Sequence, residues 1–399
     1  MKKVYARTRH FVFKILSRIL PVPEPEVFSG PGSTARCPAI LKAEGINNVL
    51  VVTDNDIVKI DLIDGLLESL QKSGITYTVF SDIQPNPTIQ NVEEGLKVYR
   101  DNNCRGVVAF GGGSPIDCAK IIAARTTNKK PVKKMKGLFK LWRRVPFLLA
   151  IPTTAGTGTE ATIAAVITDS KEHEKFSIND MKLCPKVCIL DPELLLGLPP
   201  HLTSTTGMDA LTHAIEAYIG LIGTPKTNKW AIETVKLTFQ NLERSYRDGT
   251  DIKAREAMLL ASHYGGKAFT RTYVGYTHAV AHNLGGVYGL PHGLANAIVL
   301  PYILELSKVA CIPKMAELAV AAELGDASEE KSVLADKLIM GIRFLNKSMD
   351  IPSTVEEIRE EDIPMLAKRI ETEGNPTYPV PKLLWAEDFE KLLHNLKGK

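Results

Sequence analysis

The sequence predicts an α/β domain built on a parallel sheet, followed by an all-helical domain. Two observations carry this reading. In the first half, short apolar runs rich in β-branched residues alternate with amphipathic stretches, the pattern of a sheet covered on both faces. From about Pro199 onward, only long helix-period patterns remain. The boundaries drawn are 1–198 for the α/β domain, including a basic N-terminal helix over 1–23, and 199–399 for the helical one.

Taken in order, the strands are "NNVLVVTD" (47–54), "TYTVFSD" (76–82), "CRGVVAFGGG" (104–113), "PFLLAIPTT" (146–154) and "KVCILD" (186–191). The stretches "IDLIDGLLESLQKSG" and "TIQNVEEGLKVYRDNN" between them read as helices. Helices are expected over 206–221, 226–245, 251–270 and 304–323. Ligands of open parallel sheets bind beyond the carboxyl ends of the strands. The turns that follow the strands are therefore where a binding site is sought.

Hydrophobic residues make up 44% and charged residues 24%, an ordinary globular composition. No uninterrupted apolar run reaches the ~18–20 residues of a membrane span. Six cysteines are scattered without a CxxC pair, which reads as reduced thiols in a cytoplasmic protein. The net charge of +4 hides two basic blocks, six Lys/Arg in the first 23 residues and eight in 129–144, neither with an acid. The remainder is acidic, and no nucleic-acid motif is present, so no nucleic-acid partner is expected. In the first block, Val4, Phe11, Ile15, Leu16, Ile19 and Leu20 can form one apolar helical stripe. Packing of that stripe on the protein itself or on a partner subunit is the expectation; the same pattern describes a surface helix that binds anionic lipid, but membrane association is not expected.

The third strand runs into "GGGSPIDCAK" (111–120). Ser114 reads as an N-cap, Pro115 as the first helical residue and Asp117 as the third member of a capping box. Gly111, Gly112 and Gly113 allow close approach of a ligand to backbone N–H groups that attract phosphate. A tight turn that binds nothing has the same sequence. Two other strand ends favour a nucleotide. Asp54 can accept from a ribose hydroxyl and repel a 2′-phosphate. "IPTTAGTGTE" (151–160) supplies a polar loop containing Thr153, Thr154 and Thr157. The glycines follow the third strand rather than the first, so this is not the usual dinucleotide fingerprint.

In the second half, "TGMDALTHAIEAY" (206–218) sets Asp209 and His213 four apart on one helical face. "GYTHAVAHNLGGVYGLPHG" (275–293) adds His278 and His282, also four apart, and His292. Carboxylate and imidazole donors with an open position suit a catalytic divalent metal.

With these motifs in order, together with "PNPT" at 85–88, the chain resembles the iron-dependent (group III) alcohol dehydrogenases over roughly residues 25–395. The resemblance implies a Rossmann-like, dehydroquinate-synthase-like first domain. It implies a metal, Fe2+ or alternatively Zn2+, held by Asp209, His213, His278 and His292. His282 is left as a proton relay rather than a ligand. It places NAD on Asp54, Asn86, Gly113, Ser114, Thr153, Thr154, Thr157 and Lys175, beside the Gly111, Gly112 and Asp117 of the turn. Hydride transfer between a small alcohol and nicotinamide, in a cleft between the domains of a homodimer, is the implied activity. A polyol dehydrogenase or a dehydroquinate-synthase-like enzyme would share the architecture. Asn283 and Gly289 depart from the residues common in the family, and the basic stretch at 129–144 is unlike the mixed-charge loop usual there.

Overall fold

The computed structural model describes residues 2–172 and 174–398. Its contacts divide the chain into two compact units, with Val22–Leu198 forming one and the remainder the other.

The α/β unit runs β1 (Glu26–Ser29), α2 (Cys37–Ala43), β2 (Asn48–Val52), α3 (Asn55–Lys59), α4 (Asp64–Lys72), β3 (Thr76–Phe80), α5 (Ile89–Asp101), β4 (Gly106–Gly111) and α6 (Gly113–Thr127). It continues with β5 (Gly137–Leu138), β6 (Phe147–Pro152), β7 (Ala164–Asp169), β8 (Glu174–Asn179) and β9 (Val187–Leu190), and the helix α1 (Lys2–Ile19) precedes all of these in the chain. Six strands form an all-parallel sheet in the order β1-β9-β6-β4-β2-β3. One face is covered by side chains that include Val92, Leu96, Ile116 and Ile122 of α5 and α6, the other by Leu41, Leu66 and Leu70 of α2 and α4. Burial on both faces is why β2, β4, β6 and β9 read as unbroken apolar runs.

Four strands lie outside the predicted set. β1 is a short, largely exposed edge strand. β5, β8 and β7 make a second small sheet, in which β7 and β8 are antiparallel. Burial alternates along β7 and β8; β7 does carry an apolar run, Ile163–Ile167, whereas β8 has none.

The second unit contains α7 (Pro200–Ile219), α8 (Pro225–Arg247), α9 (Ile252–Thr272), α10 (Tyr276–Tyr288), α11 (His292–Ala321), α12 (Lys331–Ser348), α13 (Ile363–Gly374) and α14 (Ala386–Lys397). α7 is buried almost all round from Gly207 to Ile219, as a helix packed on several sides must be. α11 is the one described helix long and apolar enough to cross a membrane, although no such run stands out in the sequence. It is a core helix instead, with residues Ala295–Pro301 buried, and it is broken at Cys311, two residues before Pro313.

The N-terminal helix α1 (Lys2–Ile19) also belongs to this unit, not to the α/β unit in which the sequence reading placed it. Arg7 donates from both terminal nitrogens to Val380 O (2.7 Å) and Pro381 O (2.8 Å). His10 Nε2 lies 3.1 Å from Pro376 O, and Phe13 packs edge-on against Tyr273. Ala6, His10 and Phe13 therefore form the packed face. The predicted apolar stripe points the other way: Val4, Phe11, Ile15, Ile19 and Leu20 are exposed, and the side chain of Leu16, its sixth member, lies outside the described residues.

Candidate metal centre and cofactor cradle

α7 brings Asp209 and His213 to one face, one turn apart, because residues four apart on a helix are neighbours. α10 does the same for His278 and His282, and His292 is the first residue of α11. The turn between α10 and α11 is set by Gly289, which ends α10 in the left-handed conformation at φ 71°. Asn, the residue common there in the resembling family, is the other one that tolerates this geometry.

Asp209, His278 and His292 offer ligand atoms that all lie within 4.8 Å of one another. Asp209 and His278 are buried. His213 stacks on His278 with ring centroids 4.5 Å apart, and on Phe269 at 4.1 Å. Burial alone would raise the Asp209 carboxyl. The surrounding His213, His292 and His278, with a hydrogen bond from Asn296, outweigh it and hold the group below its usual range. Burial, then the neighbouring His213, pushes His278 well below the usual histidine range, so its ring is neutral. An ionised Asp209 carboxylate and a neutral His278 ring are in the protonation states a divalent cation needs. His278 Nε2 is buried and has no hydrogen-bond partner. A lone pair that makes no hydrogen bond and faces Asp209 Oδ1 at 3.7 Å, inside a carboxylate–imidazole cluster, fits a metal ion.

Three residues not singled out in the sequence hold this cluster. Glu216 accepts from Gly275 N (2.6 Å) and Thr277 N (2.7 Å), and its Oε2 lies 2.6 Å from His278 Nδ1. It thereby fixes the His278 tautomer, leaving Nε2 as the donor atom. Asn296 donates to Asp209 Oδ1 at 2.7 Å and lies 3.2 Å from His292 Nε2. Glu373, on α13, lies 2.6 Å from His282 Nδ1 and accepts from Asn283 Nδ2 (3.0 Å) and Tyr378 OH (2.9 Å). His282 itself is about one-third exposed and stacks on His292, centroids 5.2 Å apart. Glu216 had a signal, since it stands three after His213 and seven after Asp209 on the same helical face. Glu373 lies 91 residues from His282 and had none.

In the α/β unit, the helix start at 111–117 differs from expectation. α6 begins at Gly113 with Gly112 as its N-cap, and no side chain caps it. Ser114 and Pro115 are inside the first turn. Asp117 does not reach back to close a capping box; it accepts from Thr159 Oγ1 (2.5 Å) and Val166 N (2.9 Å). The uncapped N–H groups are what an anion would meet. Gly111 sits at φ 150°, and a Cβ there would fall 2.8 Å from Pro115 Cγ. A Cβ on Gly113 would fall 2.9 Å from Thr157 Cγ2, which places the threonine loop against the helix start. Lys120 clamps that loop from behind, its buried ammonium donating to Thr159 O (2.7 Å), Thr162 O (3.0 Å), Thr162 Oγ1 (2.9 Å) and Ala164 O (2.7 Å).

The other predicted cofactor residues gather at the same strand ends. Asn86, at φ 61°, donates through its N–H to Ser114 Oγ (3.3 Å) and accepts from Lys175 Nζ (2.9 Å). Thr153 N donates to Gly111 O (3.1 Å). Thr154 Cγ2 is 3.4 Å from the Cβ position of Gly112. Asp54 caps α3, its Oδ1 accepting from Asp56 N (3.1 Å) and Ile57 N (2.9 Å); its second oxygen takes no part in the cap.

The family models decide the identity. The iron-containing alcohol dehydrogenase model matches residues 24–192, and the C-terminal model of the Fe-containing alcohol dehydrogenase family matches 203–396. The chain belongs to the iron-containing alcohol dehydrogenase family. It is 38% identical over 354 residues to the 1,3-propanediol dehydrogenase of Citrobacter freundii, covering 87% of this chain and 91% of that one. To the NAD-dependent methanol dehydrogenase of Bacillus methanolicus it is 35% identical over 368 residues, covering 92% and 96%. The solved alcohol dehydrogenase from Oenococcus oeni superposes with a TM-score of 0.91 at 32% identity, covering 94% of this chain and 99% of the other. This iron-containing alcohol dehydrogenase is thus an oxidoreductase acting on an alcohol or its carbonyl partner, and the clustered donors on α7, α10 and α11 are its candidate metal centre.

Proposed function

We infer that the enzyme interconverts a small primary alcohol and its aldehyde with NAD(H), using a divalent metal, iron in the first instance, on Asp209, His213, His278 and His292. The observation that carries this is the convergence of carboxylate and imidazole donors around the buried His278 Nε2, which makes no hydrogen bond and faces Asp209 Oδ1 at 3.7 Å. The substrate class draws on the names of the propanediol and methanol dehydrogenases it resembles. When bound, the metal supplies Lewis acidity that favours the deprotonated alcohol and polarises the carbonyl. The nicotinamide supplies the hydride chemistry. Glu216 and Asn296 hold the donors in place. The uncapped start of α6, with Thr153, Thr154 and Thr157, receives the cofactor's phosphates, while Lys175 is tied to Asn86 at the same end of the sheet. Asp54 offers its free oxygen to a ribose hydroxyl and opposes a 2′-phosphate.

Proton movement falls to His282. Glu373 engages Nδ1, so Nε2 is the atom left to take up or release the hydroxyl proton, and partial exposure gives it a route to solvent. His282→Ala is expected to keep its metal while turnover falls by roughly 100-fold, within the usual range for general acid–base groups, with an altered pH profile. Loss of metal in that variant would make His282 a ligand.

The test of the reading is a panel of primary alcohols and aldehydes with freshly metallated protein, following NADH absorbance, alongside metal analysis that separates iron from zinc. Asp54→Gly is expected to raise the use of NADPH relative to NADH. Wild-type protein that already prefers NADPH overturns the role given to Asp54, and no NADH-linked turnover with any member of the panel overturns the proposed reaction.

A further inference from the structure

The N-terminal helix is packed the wrong way round for a helix whose only task is to add to the core. Its inner face is made of Ala6, His10 and Phe13, with Arg7 anchored on two carbonyls. Its outer face carries Val4, Tyr5, Phe11, Val12, Ile15 and Ile19, all exposed, with Val4 and Ile19 at 70% and 71%. Singly exposed apolar residues are ordinary, but a contiguous row marks a surface that something covers. α1 contains no acid. On the 3.6-residue period, Lys3, Lys14 and Arg18 fall along one border of the apolar row and Arg9 along the other. An apolar face with cations on both borders is the pattern of a helix lying in a bilayer interface, where the apolar residues enter the acyl boundary and the cations meet anionic headgroups.

We propose that α1 docks this enzyme on an anionic phospholipid surface through Val4, Phe11, Val12, Ile15 and Ile19. Charge decides among the occupants. Pairing two copies of α1 by their outer faces sets one cationic border against another. A nucleic acid would find mostly aliphatic side chains along the centre of the face, with little to stack on or hydrogen-bond to. A bilayer containing anionic lipid satisfies both the apolar row and its borders. The attraction weakens with salt, as it must for exposed charges. The fixed inner contacts of Arg7 and His10 mean that docking needs no release of the helix.

The experiment is vesicle flotation with full-length protein, comparing phosphatidylcholine vesicles with phosphatidylcholine–phosphatidylglycerol vesicles at low and high salt. Wild type is expected to float with the anionic vesicles at low salt only. The double variant Phe11→Glu, Ile15→Glu, at two exposed positions, is expected to lose at least about tenfold of that binding while its NADH-linked activity is unchanged. Restoring apolar side chains as Phe11→Leu, Ile15→Leu is expected to restore flotation. A control variant, Trp142→Ser, alters the other basic segment, where Trp142 is 85% exposed, and should float as wild type does. The proposal is overturned if wild type fails to float at low salt, if neutral vesicles bind it equally, or if the double variant floats undiminished. It is also overturned if only Trp142→Ser loses binding. A fall in solution mass in the double variant with no change in flotation would assign the face to a second copy of the chain, and retention by single-stranded RNA in place of vesicles would assign it to nucleic acid.

Discussion

His278→Ala is expected to leave the enzyme without bound metal and without measurable turnover. His278 is the most buried of the clustered donors, and its Nε2 points into the group formed with Asp209 and His292. Removing the ring takes away one donor and opens a space beside the buried Asp209 carboxylate. The loss of affinity should exceed the 10–100-fold that removal of an outer hydrogen-bond partner typically costs. Two measurements check it. Elemental analysis after dialysis should find the variant empty where wild type retains metal. Thermal unfolding of wild type should shift upward on adding metal, since a ligand that binds only the folded state stabilises it, and the variant should show no shift. Full occupancy in His278→Ala would remove His278 from the ligand set.

Glu216→Gln is the second substitution with a large expected effect, although Glu216 does not enter the clustered donor group. Its two oxygens serve three donors: Gly275 N, Thr277 N and His278 Nδ1. An amide has one acceptor oxygen, so at least one donor loses its partner, at about 1–3 kcal/mol for a buried group. The His278 ring then loses the contact that selects its tautomer. Metal affinity, read by competition with a chelator, is expected to fall about 10–100-fold. A stability loss alone, with affinity unchanged, would mean that Glu216 only shapes the α9–α10 turn. Its pKa gives the same picture: burial raises the carboxyl, and the hydrogen bonds from Gly275 and Thr277 oppose that rise without cancelling it. The group is costly to bury, and the three donors are what keep it there.

The sequence by itself determined the five main strands, the helices α7, α8 and α9, the second half of α11 and the spacing of Asp209, His213, His278, His282 and His292, because each of these is a local periodicity. It determined Gly112–Gly113 as a close approach, but not the manner of the helix start. Ser114 was read as a cap from residue type. The fold gives the cap to Gly112, because Asp117 is drawn away to the 159–166 loop and Ser114 to Asn86. Glu216 was legible by spacing, three residues after His213 on the same helical face. Glu373 was not legible, since His282 and Asn283 lie on α10 and only packing sets those distances. Asn296 stands one turn after His292 on α11, but its bond to Asp209 on α7 is likewise set by packing alone.

The N-terminal helix divides the two kinds of information most sharply. Its amphipathic pattern is in the sequence, and the natural inference is that the apolar stripe packs inward. The tertiary structure instead seats Ala6 and His10 against the protein and sends Val4, Phe11 and Ile15 to solvent. Periodicity defines the faces of a helix, but it cannot say which face meets the protein. Here that choice rests on Arg7 and His10 reaching the backbone carbonyls at 376–381. Those carbonyls are hundreds of residues away in the chain and are brought into reach only by the fold.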